Sequence, residues 1–241
     1  MTWWQEFFDD EYVFLYSKAL TAERTEQEVR GVTALLRLGA GARVLDLCCG
    51  DGRHAVPLQR RGFRVTGVDS SPRLLLAARR RGEAVSAVPT LIRGDAREVP
   101  LRERSADAAI CLFNSLGYGT DADTLAMLRE CRRVAPALVV EIAHRDEHVR
   151  RARPGVEREW MDVDGRRVHT ERTLDPVAGV ARAVFSFDGK VRELRHRLYT
   201  ATELVTLLRA AGFAQVDCYG SYERAPFSID APLLVAHAKA A

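Results

Sequence analysis

Three acids set the chemistry this chain can do: Asp46, Asp69 and Asp95. Asp46 lies in an apolar run, Val44-Leu45-Asp46-Leu47, that opens into Cys48-Cys49-Gly50-Asp51-Gly52. Asp69 closes a second apolar run that starts at Phe63, and Asp95 follows Gly94 at the end of a third, Leu91-Ile92-Arg93. A carboxylate such as Asp69 can accept both hydroxyls of a ribose, and one such as Asp95 can accept from the exocyclic amine of adenine. Gly50 and Gly52 let the backbone pass close to a ligand, and a helix starting after them presents free N–H groups. A pyrophosphate loop would need three spaced glycines directly after the strand, or a lysine after them. Neither is present, and an acid at the strand tip repels phosphate but suits an ammonium. These residues ask for an adenosyl ligand with a cationic amine and no phosphate.

The acids must be delivered to one sheet edge by parallel strands. Short β-like runs fall at 43–47, 63–68, 88–93, 107–113 and 137–143, with helical stretches at 53–61, 72–82 and 122–134 between them. Ser71 before Pro72 is a cap-then-proline helix start. Strand alternating with helix makes an α/β chain with a mostly parallel sheet and helices on both faces. In such sheets ligands bind outside the carboxyl ends of the strands. Two helices precede this unit, at 9–20 and 24–38. Over 150–198 the rhythm breaks: Asp164-Gly165 and Asp188-Gly189 are hairpin turns, so an antiparallel β meander is inserted there. A helix at 201–211 and strands at 213–219 and 232–238 complete the sheet. The reading is a single domain, 1–241, with an N-terminal helical lid over 1–38 and the 150–198 insertion over the second substrate.

These motifs resemble those of the class I S-adenosylmethionine-dependent methyltransferases. Val44 to Gly52 is similar to that family's first motif, with Cys48 where many members have a glycine; Val65 to Ser71 resembles the second and Gly94-Asp95-Ala96 the third. The resemblance implies a Rossmann-like seven-stranded sheet with a reversed last strand. It also implies S-adenosylmethionine as cofactor and S-adenosylhomocysteine as product. The cofactor residues it implies are Asp46, Cys48, Gly50, Asp69, Ser70, Asp95, Ala96 and Phe113, with the Cys48 backbone rather than its thiol touching the ligand. Arg24-Thr25-Glu26 onward, and Ile110 to Tyr118, are similar to glycine N-methyltransferase and related small-molecule enzymes. In that subgroup an arginine at the matching helix start holds the cofactor's carboxylate, which assigns this task to Arg24. Asn114 and Tyr118 match positions that face the acceptor. Tyr16 is the member of the aromatic segment Trp3, Trp4, Phe7, Phe8, Tyr12, Phe14, Tyr16 expected over the cofactor. His144, after the fifth strand, stands where a general base could sit. Trp160, His169 and Arg197 are further candidate acceptor contacts.

An amine acceptor needs no base, and no residue is a secure one, so N-methylation of a small molecule is the favoured reading. The segment at 112–118 lacks the Asn-Pro-Pro-Tyr pattern of enzymes acting on planar amide or nucleobase nitrogens. Arginines at 79–81, 150, 151, 153 and 158 leave an RNA or protein methyltransferase as an alternative. A non-catalytic cofactor-binding subunit is another, and a nicotinamide dehydrogenase is more distant. Net charge is only +3 over 241 residues, and no aromatics interleave those arginines, so nucleic acid is not the expected partner. The expected partner is a small-molecule acceptor, with the chain a monomer or homodimer. The five cysteines have no metal-ligand spacing and read as reduced thiols, no apolar run could span a membrane, and the acidic aromatic N-terminus is unlike a targeting peptide. A cytoplasmic location without a metal is expected.

Overall fold

The computed structural model describes residues 7–152 and 155–241. Trp3, Trp4 and Arg153 therefore lie outside the described residues. The chain opens with α1 (Asp10–Tyr16), capped by the Asp9 carboxylate, which accepts from the Glu11 and Tyr12 N–H groups. It runs into a 3-10 turn at Ser17–Ala19, so the helix expected over 9–20 stops short. Next comes α2 (Ala22–Leu36), capped by Thr21.

Five strands and three helices follow: β1 (Arg43–Leu47), α3 (Ala55–Arg60), β2 (Arg64–Asp69), α4 (Pro72–Glu83), β3 (Thr90–Arg93), β4 (Ala108–Cys111), α5 (Asp121–Val134) and β5 (Ala137–Ile142). Ser71 caps α4 and Pro72 occupies its first turn, as the sequence implies. The expected strand at 107–113 ends at Cys111, because Phe113 and Asn114 take left-handed φ of 56° and 58° and turn the chain. A further short helix, α6 (Arg145–Arg151), was not anticipated; His144 caps it. The insertion is a meander of β6 (Glu157–Val163), β7 (Arg166–Asp175), β8 (Val180–Phe187) and β9 (Lys190–Arg197). Then α7 (Ala201–Ala210), held by a Thr200/Glu203 capping box, leads to β10 (Gln215–Tyr219) and β11 (Leu234–Lys239).

The main sheet has the order β10-β11-β5-β4-β1-β2-β3, and the meander is a separate four-stranded sheet. Strands β1 to β5 pair in parallel, while β11 runs antiparallel to both β5 and β10. Alternation along β1 sorts the core: Leu45 and Leu47 face the layer of α5 and α7, while Val44 faces the layer of α2 and α3. Each such leucine contributes about 1.5–3 kcal/mol by leaving water. A third cluster joins the N-terminal segment to the meander: Phe7 and Leu15 pack on Val163, Val168, Phe185 and Phe187. The two sheets are tied where the Arg197 N–H donates to the Gly117 carbonyl at 2.8 Å.

Candidate functional site

Strands β1 and β2 bring Asp46 and Asp69 to the same edge. The Asp69 carboxylate organises the loop: Oδ2 accepts the Gly50 N–H and Oδ1 the Ser71 N–H, both at 2.8 Å. Burial pushes its carboxyl above the usual range, against the pull of these donors. Cys48 has φ of +60°, which explains why a glycine would be at home there. Its thiol is in hydrogen-bonding contact with Cys111, and that contact and burial hold its pKa up. Among the described residues no cluster could hold a metal ion.

Of the anticipated cofactor residues, Cys48, Gly50, Asp69, Ser70, Asp95, Ala96 and Phe113 line one cavity of about 400 Å³. That volume is in the range of small-ligand sites. Asp95 lines it in a salt bridge: Arg97 Nη2 is 2.6 Å from Oδ2, and Arg97 Nη1 reaches Asp123 Oδ1 at 2.8 Å. Arg97 holds the Asp95 carboxyl below its ordinary value. Asp95 Oδ1 also accepts the Arg97 backbone N–H at 2.8 Å and Nε at 3.0 Å, so three Arg97 donors occupy most of the roughly four lone-pair sites and about one remains for a ligand.

Asp46 needs correction as a direct contact. It does not line this cavity but is sealed beneath the loop, only 2% exposed, with Oδ2 lacking a partner. Burial, followed by the charge of Asp69, pushes its carboxyl up to about 8. It can act on a ligand cation only through the loop's field. Arg24 also stays outside the described cavities. Its Nε binds Glu28 Oε1 at 2.7 Å, and its guanidinium stands over the Phe113 ring, 5.1 Å from the centroid.

Sequence reasoning missed the centre of that region. Glu28 is a buried hub that pairs with Arg24, with Arg53, and with His54 Nε2 at 2.8 Å. Burial pushes its carboxyl up, but His54, Arg53 and Arg24 outweigh it and bring it to about 2. Arg53 also stands over the Phe113 ring, 4.9 Å from its centroid. Glu141, fully buried on β5, accepts the Phe113 N–H at 2.7 Å and so holds the turn after β4. An acid inside the apolar run Leu138-Val139-Val140-Glu141-Ile142 was the readable signal, since a buried charge needs a purpose.

A second cavity, of about 500 Å³, shares Tyr12, Phe113 and Tyr118 with the first and extends to the meander. Tyr16 and Asn114 line it, as does His196 from β9. Burial pushes the Tyr16 hydroxyl up to about 12, so it stays a neutral phenol. The Asn114 side-chain oxygen accepts the Ala143 N–H. Tyr118, which also lines this cavity, stacks on the His196 ring with centroids 5.0 Å apart.

His144 is corrected from a base to a cap. It is fully buried, outside both cavities; Nδ1 accepts the Glu147 N–H and Nε2 meets the Ala231 carbonyl at 2.6 Å. Both ring nitrogens are spent on structure. Trp160, 60% exposed beside His169, and Arg197, bound to Glu203, also fall outside the two cavities.

Comparison with known proteins agrees with this geometry. Residues 44–136 match the family model described as a methyltransferase domain. The demethylmenaquinone methyltransferase of Thermobifida fusca (strain YX) is 30% identical over 132 residues, 54% of this chain and 56% of that protein. The chain spans 32% to 56% of the length of the first curated relatives it matches. The CcbJ methyltransferase from Streptomyces caelestis superposes with a TM-score of 0.78, at 23% identity over 89% of this chain and 90% of that one. CalS10, an amino pentose methyltransferase from Micromonospora echinaspora with S-adenosylmethionine bound, gives 0.61 at 24% identity over 89% and 90%. Over residues 44–136 the chain carries a methyltransferase domain, and its fold is the Rossmann-like fold of the S-adenosylmethionine-dependent methyltransferases.

Proposed function

We propose that this protein transfers a methyl group from S-adenosylmethionine to an amine on a small molecule. The observation that carries the reading is the pair of cavities meeting at Tyr12, Phe113 and Tyr118. One has the carboxylate-tipped strand edge, the other an aromatic inner end closed by the meander. A phosphate-free adenosyl ligand fits the first: Asp69 and Asp95 offer acceptors, Gly50 offers close backbone approach, and the orphaned Asp46 Oδ2 favours a nearby cation. CalS10, described as an amino pentose methyltransferase, shares the fold, which supports a small amine-bearing acceptor. The similarity of Arg24 and its helix to glycine N-methyltransferase supports the same class.

When bound, S-adenosylmethionine supplies an electrophilic methyl group on a sulfonium. In this reading Asp69, Ser70, Asp95 and Ala96 hold the adenosyl part, and Arg24 and the Asp46 field serve its amino-acid end. Cys48 and Phe113 wall the methyl side. Asn114, Tyr118 and Tyr16 position the acceptor. The lid over 1–38 and the 150–198 insertion exclude water; Phe7 and Leu15 packed on the meander support that division of labour. Positioning of this kind can supply about 7–11 kcal/mol of barrier reduction. The test is S-adenosylhomocysteine release from S-adenosylmethionine across a panel of small amines, alcohols and thiols. Turnover of amines is expected; turnover confined to thiols or alcohols overturns the amine assignment, and none at all favours a cofactor-binding subunit.

A further inference from the structure

His196 sits in the wall of the second cavity with only one of its nitrogens committed. Its Nε2 is 2.7 Å from the Leu116 carbonyl oxygen. A carbonyl can only accept, so Nε2 carries the proton and Nδ1 is left with the lone pair. The ring's other constraints agree. Tyr118 stacks against its face with planes 27° apart, and the Cδ2 edge is packed on Gly117, where an added Cβ would stand 3.1 Å from that carbon. The Nε2–Cδ2 edge is thus turned to the loop at 116–117. Nδ1, on the opposite edge, makes no hydrogen bond to any described residue. The ring is largely buried, but Nδ1 is not among the sealed polar atoms left without a partner, so its lone pair is open to the cavity and can take a donor from a ligand.

We propose that Nδ1 of His196 accepts an N–H of the acceptor amine and thereby turns the amine lone pair toward the shared wall at Tyr118 and Phe113. The proposal rests on the amine-methyltransferase reading above and names a residue which that reading did not use. As the nitrogen lone pair forms the new N–C bond, the C–S bond breaks with its electron pair left on sulfur. The nitrogen gains positive charge, its N–H becomes more acidic, and the bond to Nδ1 strengthens in the transition state. The proton stays on the product ammonium and leaves to solvent after release. Burial keeps the imidazole neutral, down at about 4, so Nδ1 remains an acceptor at physiological pH.

Two side chains separate the two edges of the ring. His196→Gln places an amide N–H near the Nε2 position and keeps the tie to Leu116, but offers no acceptor at Nδ1. His196→Asn keeps an oxygen near Nδ1 and gives up the tie. With benzylamine as the probe acceptor, His196→Gln is expected to lose about a hundredfold in kcat with the KM for S-adenosylmethionine unchanged, and His196→Asn to stay within about tenfold of wild type. Independently of turnover, long-range proton–nitrogen NMR of 15N-histidine protein is expected to show a pyridine-type Nδ1. That resonance is expected to shift when benzylamine is added to protein saturated with S-adenosylhomocysteine. A protonated Nδ1, an unmoved resonance, or a His196→Gln enzyme as fast as wild type overturns the proposal. Absence of S-adenosylhomocysteine binding in the same sample would instead count against the cofactor reading.

Discussion

Gly50 and Gly52 lie two residues apart in one loop, yet an alanine at each is expected to fail in a different way. Both have positive φ, 52° and 75°, so either substitution forces a side chain into a left-handed backbone at about 1–2 kcal/mol. The unfolded-state gain of replacing glycine by alanine is common to both and cancels from the comparison. The surroundings differ. A Cβ on Gly52 would stand 2.9 Å from Ala78 Cβ and 3.2 Å from Ala78 Cα, against the backbone of α4. That contact cannot yield by rotating a side chain, and overpacking of this kind adds about 1–3 kcal/mol. Gly52→Ala is therefore expected to lose roughly 2–5 kcal/mol of stability. A Cβ on Gly50 meets only Leu74 Cδ1, at 3.9 Å, but it projects where Gly50 lines the 400 Å³ cavity. Gly50→Ala should stay within about 2 kcal/mol of wild type in stability while its affinity for S-adenosylmethionine falls about tenfold or more. Urea unfolding and isothermal calorimetry measure the two quantities separately. The reasoning is refuted if Gly50→Ala binds like wild type, or if Gly52→Ala is no less stable than Gly50→Ala.

The Glu28 hub predicts an acid limb. Its carboxyl lies near 2 in the folded chain against an ordinary 4.5, so its stabilisation is complete above about pH 4.5 and drains as pH falls toward 2. Glu28→Gln should cost about 3–5 kcal/mol at neutral pH and flatten that limb in urea titrations; equal slopes for both proteins would count against the hub. Asp46, near 8, is mostly protonated at pH 7, and a cation bound above the loop favours its ionised form. Cofactor binding should release a fraction of a proton, visible as a buffer-dependent binding heat at pH 7; the same heat in phosphate and Tris would contradict this. His144→Ala should lower stability by about 1–2 kcal/mol through loss of the helix cap while leaving kcat near wild type, and a large loss of kcat would restore it as a base.

The strand tips were legible because an acid after an apolar run, followed by glycines or a serine-proline start, has few structural explanations. The meander was legible from its two Asp-Gly turns, both of which close hairpins here. Histidines were not legible: His144 and His196 are alike in sequence, and only the packing shows that Ala231 and the Glu147 N–H consume both nitrogens of one while Leu116 takes one nitrogen of the other. The depth of Asp46 was also hidden. It lies one residue before the end of β1, whereas Asp69 closes β2 and takes the Gly50 N–H, and the loop folds over Asp46. The pairing of Asp95 with Arg97 could have been suspected from their separation of two residues in a turn. The Glu28 hub could not, since Arg53 and His54 reach it across more than twenty residues of chain.

The claim that this sheet edge holds S-adenosylmethionine is tested most directly by calorimetry of that ligand on the wild-type protein and on Asp69→Ala, with near-ultraviolet circular dichroism to confirm that the variant is folded. Hydrogen bonds to a charged acceptor are worth about 1.5–3 kcal/mol each, so losing two ribose bonds should weaken binding by at least a hundredfold. The account predicts micromolar binding by wild type and none measurable for the folded variant. Equal affinities in the two proteins, or no binding by wild type, would contradict it.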